Sequence, residues 1–197
     1  MLKKYLTITT LCAASASLCN AATVEVSVDA SNTIPNIVAN SIIADGGGID
    51  WTSISVLVEL TAGHIYNGVP DGNTPQSAFW NVPGFEQLEW DTWFGIPGDP
   101  TNGISNTEGG FPDRPFSIAG QKISVTLFNN TATDTGPTRV SNISLSADAQ
   151  GTWRMINAFT GGVSVHTDGV VINGVMVPEP SALVLLTVGG FAMMKRK

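Results

Sequence analysis

Along the stretch from Ala22 to Val177, apolar and polar residues alternate. "TVEVSV" sets Val24, Val26 and Val28 on one face, and "SISVLVEL" opposes Ile54, Val56, Val58 and Leu60 to Ser53, Ser55 and Glu59, with Leu57 out of step. "KISVTLF" repeats the pattern with Ile123, Val125 and Leu127, and "RVSNISLS", "GTWRMINAF", "GVSVHT" and "GVVINGVMV" are further runs of the same type. Successive side chains of an extended chain point to opposite faces, so a period of two predicts strands with one face buried. The Thr, Ser and β-branched residues filling these runs suit a pleated surface. Between them lie "DGGGID", "NGVPDGN", "NNTATDTGP", "SADAQG", "FTGG" and "HTDG", all rich in turn formers. No amphipathic helix pattern interrupts the series. The expected fold is all-β: an antiparallel β-sandwich of jelly-roll or cohesin-like kind, with a closed barrel as the alternative.

One region breaks the rhythm. Residues 67–115 hold much of the chain's proline and glycine and only one strand-like run, "LEWDTWFGI". Loops of such length are usually functional or mobile, and this one carries Trp80, Trp90 and Trp93 beside Phe79, Phe85 and Phe94. Trp80, Trp90 and Trp93 are therefore the candidate ligand platform. An exposed indole can stack on a sugar ring while its N–H donates a hydrogen bond, so a carbohydrate-binding module using Trp80 and Trp93 is one functional reading. Trp51 and Trp153, set in strand patterns, are expected core fillers, and Trp90 has the same alternative. The run also supplies Glu86, Glu89 and Asp91. On a strand, Glu89 and Asp91 would share a face about 7 Å apart, a spacing open to a paired-acid polysaccharide hydrolase. Acids on the solvated face of a strand would look the same, and that plainer reading is preferred.

Charge narrows the partners. From Ala22 to Val177 there are four cations (Arg114, Lys122, Arg139 and Arg154) against fifteen carboxylates. Nucleic acid is bound chiefly through Lys and Arg on phosphate, so no nucleic-acid partner is expected. Catalytic signatures are sparse: His64 and His166 are isolated, no G-x-S-x-G elbow occurs, and "DGGGID" is followed by a strand pattern, unlike a phosphate loop. No catalytic residue and no cofactor is expected. The turns "GDPTNGISNTEGG" and "VPDGNTP" offer the oxygen ligands Ca²⁺ takes without its helix–loop–helix spacing, which leaves a calcium site open on composition alone. Asn129-Asn130-Thr131 and Asn142-Ile143-Ser144 match the glycosylation sequon.

The two ends differ from the middle. "MLKKYLTITTLCAASASLCNAATVEV" combines Lys3 and Lys4, an apolar stretch from Tyr5 to Leu18, and small residues Cys19 and Ala21 at −3 and −1 of a cleavage site. This predicts a signal-peptide helix over 1–21, cut by signal peptidase between Ala21 and Ala22. Lipidation at Cys19 is disfavoured by the bulky Leu18 before it. Both cysteines, Cys12 and Cys19, then leave with the signal, and the domain over 22–177 must hold without disulfides. At 156 residues it can bury roughly two-thirds of its unfolded surface. At the other end, the apolar run from Ala182 to Met194 would reach about 20 Å as a helix, short of the roughly 30 Å hydrocarbon core of a bilayer.

That ending, "VPEPSALVLLTVGGFAMMKRK", resembles the PEP-CTERM sorting signal. Pro178, Glu179 and Pro180 stand as the motif, the apolar run follows, and Lys195, Arg196 and Lys197 form the basic cluster at the end. The match covers 178–197, in the order and position the family requires. The resemblance implies a Gram-negative bacterium with an exosortase, transient inner-membrane anchoring through the tail, and delivery to the cell envelope, cell surface or exterior. On this reading the apolar run holds the chain only until processing, and the cations keep its end cytoplasmic. The phrases "VLVELTAGHIYN", "LEWDTWF" and "ISLSADAQGTWRMINAFTGG" are similar to an uncharacterised group of exosortase-sorted proteins, which brings no activity with it. The expected function is a structural or interaction role without catalysis, extracellular polysaccharide being one candidate partner.

Overall fold

In a computed structural model, residues 22–67, 74–75, 77–95, 104–109, 111, 114, 117–129 and 136–179 are described. In chain order the strands are β1 (Thr23–Val28), β2 (Ile37–Asp45), β3 (Trp51–Ala62), β4 (Trp93–Phe94), β5 (Ile104–Gly109), β6 (Ser117–Ala119), β7 (Lys122–Asn129), β8 (Thr138–Ser146), β9 (Gln150–Phe159), β10 (Ser164–Ile172) and β11 (Val175–Pro178). They form two antiparallel sheets. One runs β1-β2-β8-β4; the other runs β11-β10-β9-β3-β7-β5, with β6 also on β7. The sheets face each other across a common core, and the fold is the expected β-sandwich.

Strand β3 shows why the sequence folds this way. Ile54, Val56, Val58 and Leu60 are buried, while Ser53, Ser55, Leu57 and Glu59 lie on the half-exposed outer face. From β7, Ile123, Val125 and Leu127 enter the same core, and from β9 Trp153, Met155 and Phe159. Across the sandwich they meet Ile42, Ala44, Val140, Ile143 and Leu145 from β2 and β8. Each fully buried side chain of this size contributes about 1.5–3 kcal/mol relative to exposure. Trp51 and Trp153 are core fillers, as expected, each 2% exposed.

Several local readings are corrected. Strand β2, "IVANSIIAD", has no alternating signal because Ala39 through Ile42 are buried on both faces. "GVVINGVMV" is two strands, not one. Asn173 and Gly174, with φ of 52° and 78°, make a two-residue turn that closes the β10–β11 hairpin at the Ile172–Val175 pair. That combination of positive dihedrals matches strand twist and favours Asn-Gly. "HTDG" is no turn at all, since Thr167, Asp168 and Gly169 lie inside β10. Most of "LEWDTWFGI" is not strand either: Glu86–Trp90 is a 3₁₀ helix, and only Trp93–Phe94 pair with β8.

The expected signal helix, the cleavage-site residue Ala21, Pro180 and the tail with Lys195, Arg196 and Lys197 lie outside the described residues, as do parts of both calcium-type turns. Among the described residues, no helix is long and apolar enough to cross a membrane.

Candidate functional site

The segment 77–95 ends at the edge of the smaller sheet, where Trp93–Phe94 pair with β8, and β8 is built to receive it. Ser141, Asn142 and Ser144 of β8 are buried, and their side chains bind the backbone of this segment. Asn142 Nδ2 donates to the carbonyl of Asp91 at 2.7 Å, Ser141 Oγ to that of Trp93 at 3.0 Å, and Ser144 Oγ to that of Trp90. Thr92 Oγ1 donates to the Tyr66 carbonyl at 2.7 Å and accepts the Ser144 N–H at 3.1 Å. The carbonyls of Trp90, Asp91 and Trp93 are thereby paired, as buried main-chain polar groups require.

On this mount the aromatic residues divide into a buried base and an exposed crest. Trp93 and Trp90 are buried, at 1% and 6% exposure, and Phe94 enters the main core. Trp80, half-buried, packs on Trp93 with ring centroids 5.7 Å apart. Of the platform expected of Trp80, Trp90 and Trp93, neither Trp90 nor Trp93 offers a free indole face, and Trp80 alone keeps partial exposure. The most exposed aromatic residues of the segment are Phe79 and Phe85, 46% and 48% exposed with centroids 6.0 Å apart, and Val82 stands beside them in sequence at 38%. Main-chain bonds from Val82 N–H to Phe79 O and from Phe85 N–H to Val82 O fix this crest.

Arg139 ties base to sheet. A bulge leaves Val140 of β8 without a counterpart on β2 and puts Arg139 in register with Ile43; such insertions re-aim side chains. The guanidinium carbon lies 4.9 Å from the Trp93 ring centroid and 5.7 Å from that of Trp90. Its Nη2 donates to Asn142 Oδ1 at 2.9 Å, and Nη1 is 3.6 Å from Glu89 Oε1. Burial pulls the guanidinium's pKa down, while the charges of Asp29 and Glu89 oppose that fall; a guanidinium stays cationic through such shifts. Sequence reasoning passed over Arg139. Its one signal was scarcity, as one of four cations in the domain.

The three carboxylates weighed for hydrolysis serve separate ends. Glu86 accepts the Gly84 N–H at 2.8 Å, Glu89 pairs with Arg139, and Asp91, buried at 4%, accepts the Thr92 N–H at 2.8 Å. The expected common face for Glu89 and Asp91 is replaced by the end of a 3₁₀ helix.

A second concavity of about 610 Å³ lies where the β1–β2 loop meets the β8–β9 turn, walled by Ile34, Pro35 and Ile37 and edged by His64, Tyr66 and Asp148. Burial raises the Tyr66 pKa, helped by the charge of Asp91. Asp148 is held below its ordinary value by the Ser146 hydroxyl first, then by its own backbone N–H, against slight desolvation and with help from His64. Ser146 Oγ also accepts the His64 main-chain N–H at 2.9 Å. That hydroxyl bridges a backbone N–H and a carboxylate, which braces the turn; an activated nucleophile would instead give its proton to the imidazole. His166 stands apart on β10, exposed, 3.3 Å from Ser164 Oγ. Among the described residues, no three His, Cys, Asp or Glu side chains are grouped to hold a metal ion.

No family model matches the sequence, and no curated protein matches it. Among solved structures the chain is similar to the crystal structure of ACE19, the collagen binding subdomain of Enterococcus faecalis surface protein ACE. The identity is 8% and the TM-score 0.39, over 75% of this chain and 92% of that one.

Proposed function

We propose that this chain is an exported protein of a Gram-negative cell envelope or extracellular matrix, sorted by an exosortase through residues 178–197, with an interaction role and no catalysis. The observation that carries this reading is the place of the motif beside the sandwich. Strand β11, the last strand among the described residues, ends at Pro178, so the first residue of the Pro-Glu-Pro motif lies at the edge of the folded body. The interaction role is supported by Phe79 and Phe85, held out on a braced loop, because exposed apolar groups on a rigid mount favour contact with a partner. The separate engagements of Glu86, Glu89 and Asp91 argue against assigning them to hydrolysis.

Contact with extracellular polysaccharide is the second reading. The exposed pair favours it, since phenyl faces can stack on the C–H faces of sugar rings.

Fractionation of an exosortase-bearing host tests the sorting. The native chain is expected in envelope and medium fractions, and the Pro178→Ala, Glu179→Ala double variant is expected to accumulate in the inner membrane. Identical distribution of the two would sink the reading. For the second reading, retention on host polysaccharide is expected to fall in Phe79→Ala and Phe85→Ala. Unchanged retention removes this crest as the glycan contact.

A further inference from the structure

We propose that the folded sandwich holds the first two residues of the Pro-Glu-Pro motif, so that β11 is a catch which must open before the motif can be gripped for processing. The inference rests on reading 178–197 as a sorting signal.

In an unstructured linker, Pro178 and Glu179 would be free. Here Pro178 is the last residue of β11, in register with Gly169 of β10. One residue on, the Glu179 N–H donates to the carbonyl of Asp168 at 2.9 Å. Glu179 also lines a groove of about 320 Å³ on the outer side of the larger sheet, together with Glu59, Arg114, Arg154 and Asp168. Arg154 Nε lies 3.1 Å from Asp168 Oδ1 and Arg114 Nε 3.9 Å from Glu59 Oε1, so the groove that Glu179 lines already holds two paired guanidinium groups.

The strand behind the motif is anchored more deeply. Met176 is 2% exposed, and its N–H donates to the buried Oδ1 of Asn40 at 2.9 Å. Opening therefore has a natural limit. Residues 178–179 can leave β10 while Met176 stays in the core, as the end of an edge strand frays without global unfolding.

An enzyme that binds its substrate as an extended peptide needs the main-chain N–H and the side chains of the motif. The Glu179 N–H is already committed to Asp168. The competent form is then the fraction in which this end has opened, and the observed processing rate is reduced by that fraction. One hydrogen bond of ordinary worth makes the factor about tenfold.

The test is a pulse-chase of the full chain in an exosortase-bearing host. Wild type is compared with a variant carrying a flexible spacer of about five Gly/Ser residues between Val177 and Pro178. Faster loss of the tail in the spacer variant, by about tenfold, is the expected result. Equal or slower loss, with both chains processed, overturns the catch and leaves the sorting reading intact. No processing of either chain overturns the sorting reading, and the catch falls with it. Hydrogen exchange on the full chain in detergent gives a readout that needs no enzyme. The Glu179 amide is expected to exchange at least about tenfold more slowly than an unstructured peptide, and exchange at the unstructured rate overturns the proposal.

Discussion

The main-chain N–H of Met176 donates to Oδ1 of Asn40 at 2.9 Å, joining the last strand of one sheet to the second strand of the other. Asn40 is fully buried, and its Nδ2 donates in turn to the carbonyls of Gly174 and Ile143 at 2.9 and 3.1 Å. One amide thus fixes the β10–β11 turn, the edge strand and β8. Asn40→Ala leaves a buried N–H and two carbonyls short of a partner, and is expected to destabilise the domain by about 2–4 kcal/mol. Urea unfolding of the variant checks this; a midpoint unchanged from wild type would contradict the role given to Asn40.

The aromatic segment is expected to split in its response to truncation. Trp93→Ala empties a buried site beneath Trp80 and Arg139 and should cost about 3–5 kcal/mol. Phe79→Ala and Phe85→Ala, at exposed positions, should stay within about 0.5 kcal/mol of wild type. Thermal unfolding of the three variants decides. Comparable losses in all three would mean that the crest is part of the packed structure and not a free contact surface.

Gly169 is where strand, tryptophan and motif meet. A Cβ there would stand 2.5 Å from Cε2 and Nε1 of Trp153 and would also collide with the carbonyl of Val177. Gly169→Ala is therefore expected to push β11 outward at an overall cost of about 1–3 kcal/mol. Amide exchange at Met176 and Glu179 should rise more than at Val56 in the centre of the sheet. A uniform increase across these sites would show global destabilisation without the local effect.

Acid should weaken the fold partly through Asp29. Burial alone would raise its pKa, but the hydroxyl and N–H of Ser31 and the charge of Arg139 outweigh it, and the carboxyl is held below its ordinary value. A carboxylate with a depressed folded pKa stabilises the native state above the unfolded value, near pH 4, and that contribution is lost as pH falls through the lower folded value. Asp29→Asn is accordingly expected to lower stability at neutral pH and to flatten its decline below about pH 4. Urea midpoints from pH 7 to pH 2 measure this; parallel curves for the two proteins would contradict it.

How far the sequence was readable depends on where each residue's neighbours come from. Ile54, Val56, Val58 and Leu60 follow from alternation because a strand with one buried face writes that face into its own sequence. The polar side of β8 does not. Ser141, Asn142 and Ser144 resemble a wet face, and only the arrival of Trp90–Phe94, about fifty residues upstream, makes them interior. Arg139 was unreadable for the same reason, since its tryptophans are distant in sequence. The Asn173-Gly174 turn was legible in principle, because Asn-Gly between apolar runs is a strong hairpin signal, yet "GVVINGVMV" reads as one strand if only its apolar content is weighed. The 3₁₀ helix at Glu86–Trp90 is too short to establish a helical period, so the acids of "LEWDTWF" took on a strand geometry they do not have.

The measurement that tests the central claim most directly is the intact mass of the native protein from the envelope and medium of its host. A species that begins at Ala22 and lacks Lys195, Arg196 and Lys197 is the expected result. A species that retains Lys195 to Lys197 in those fractions would contradict the account, because the tail would then be a lasting part of the protein and not a segment removed in sorting.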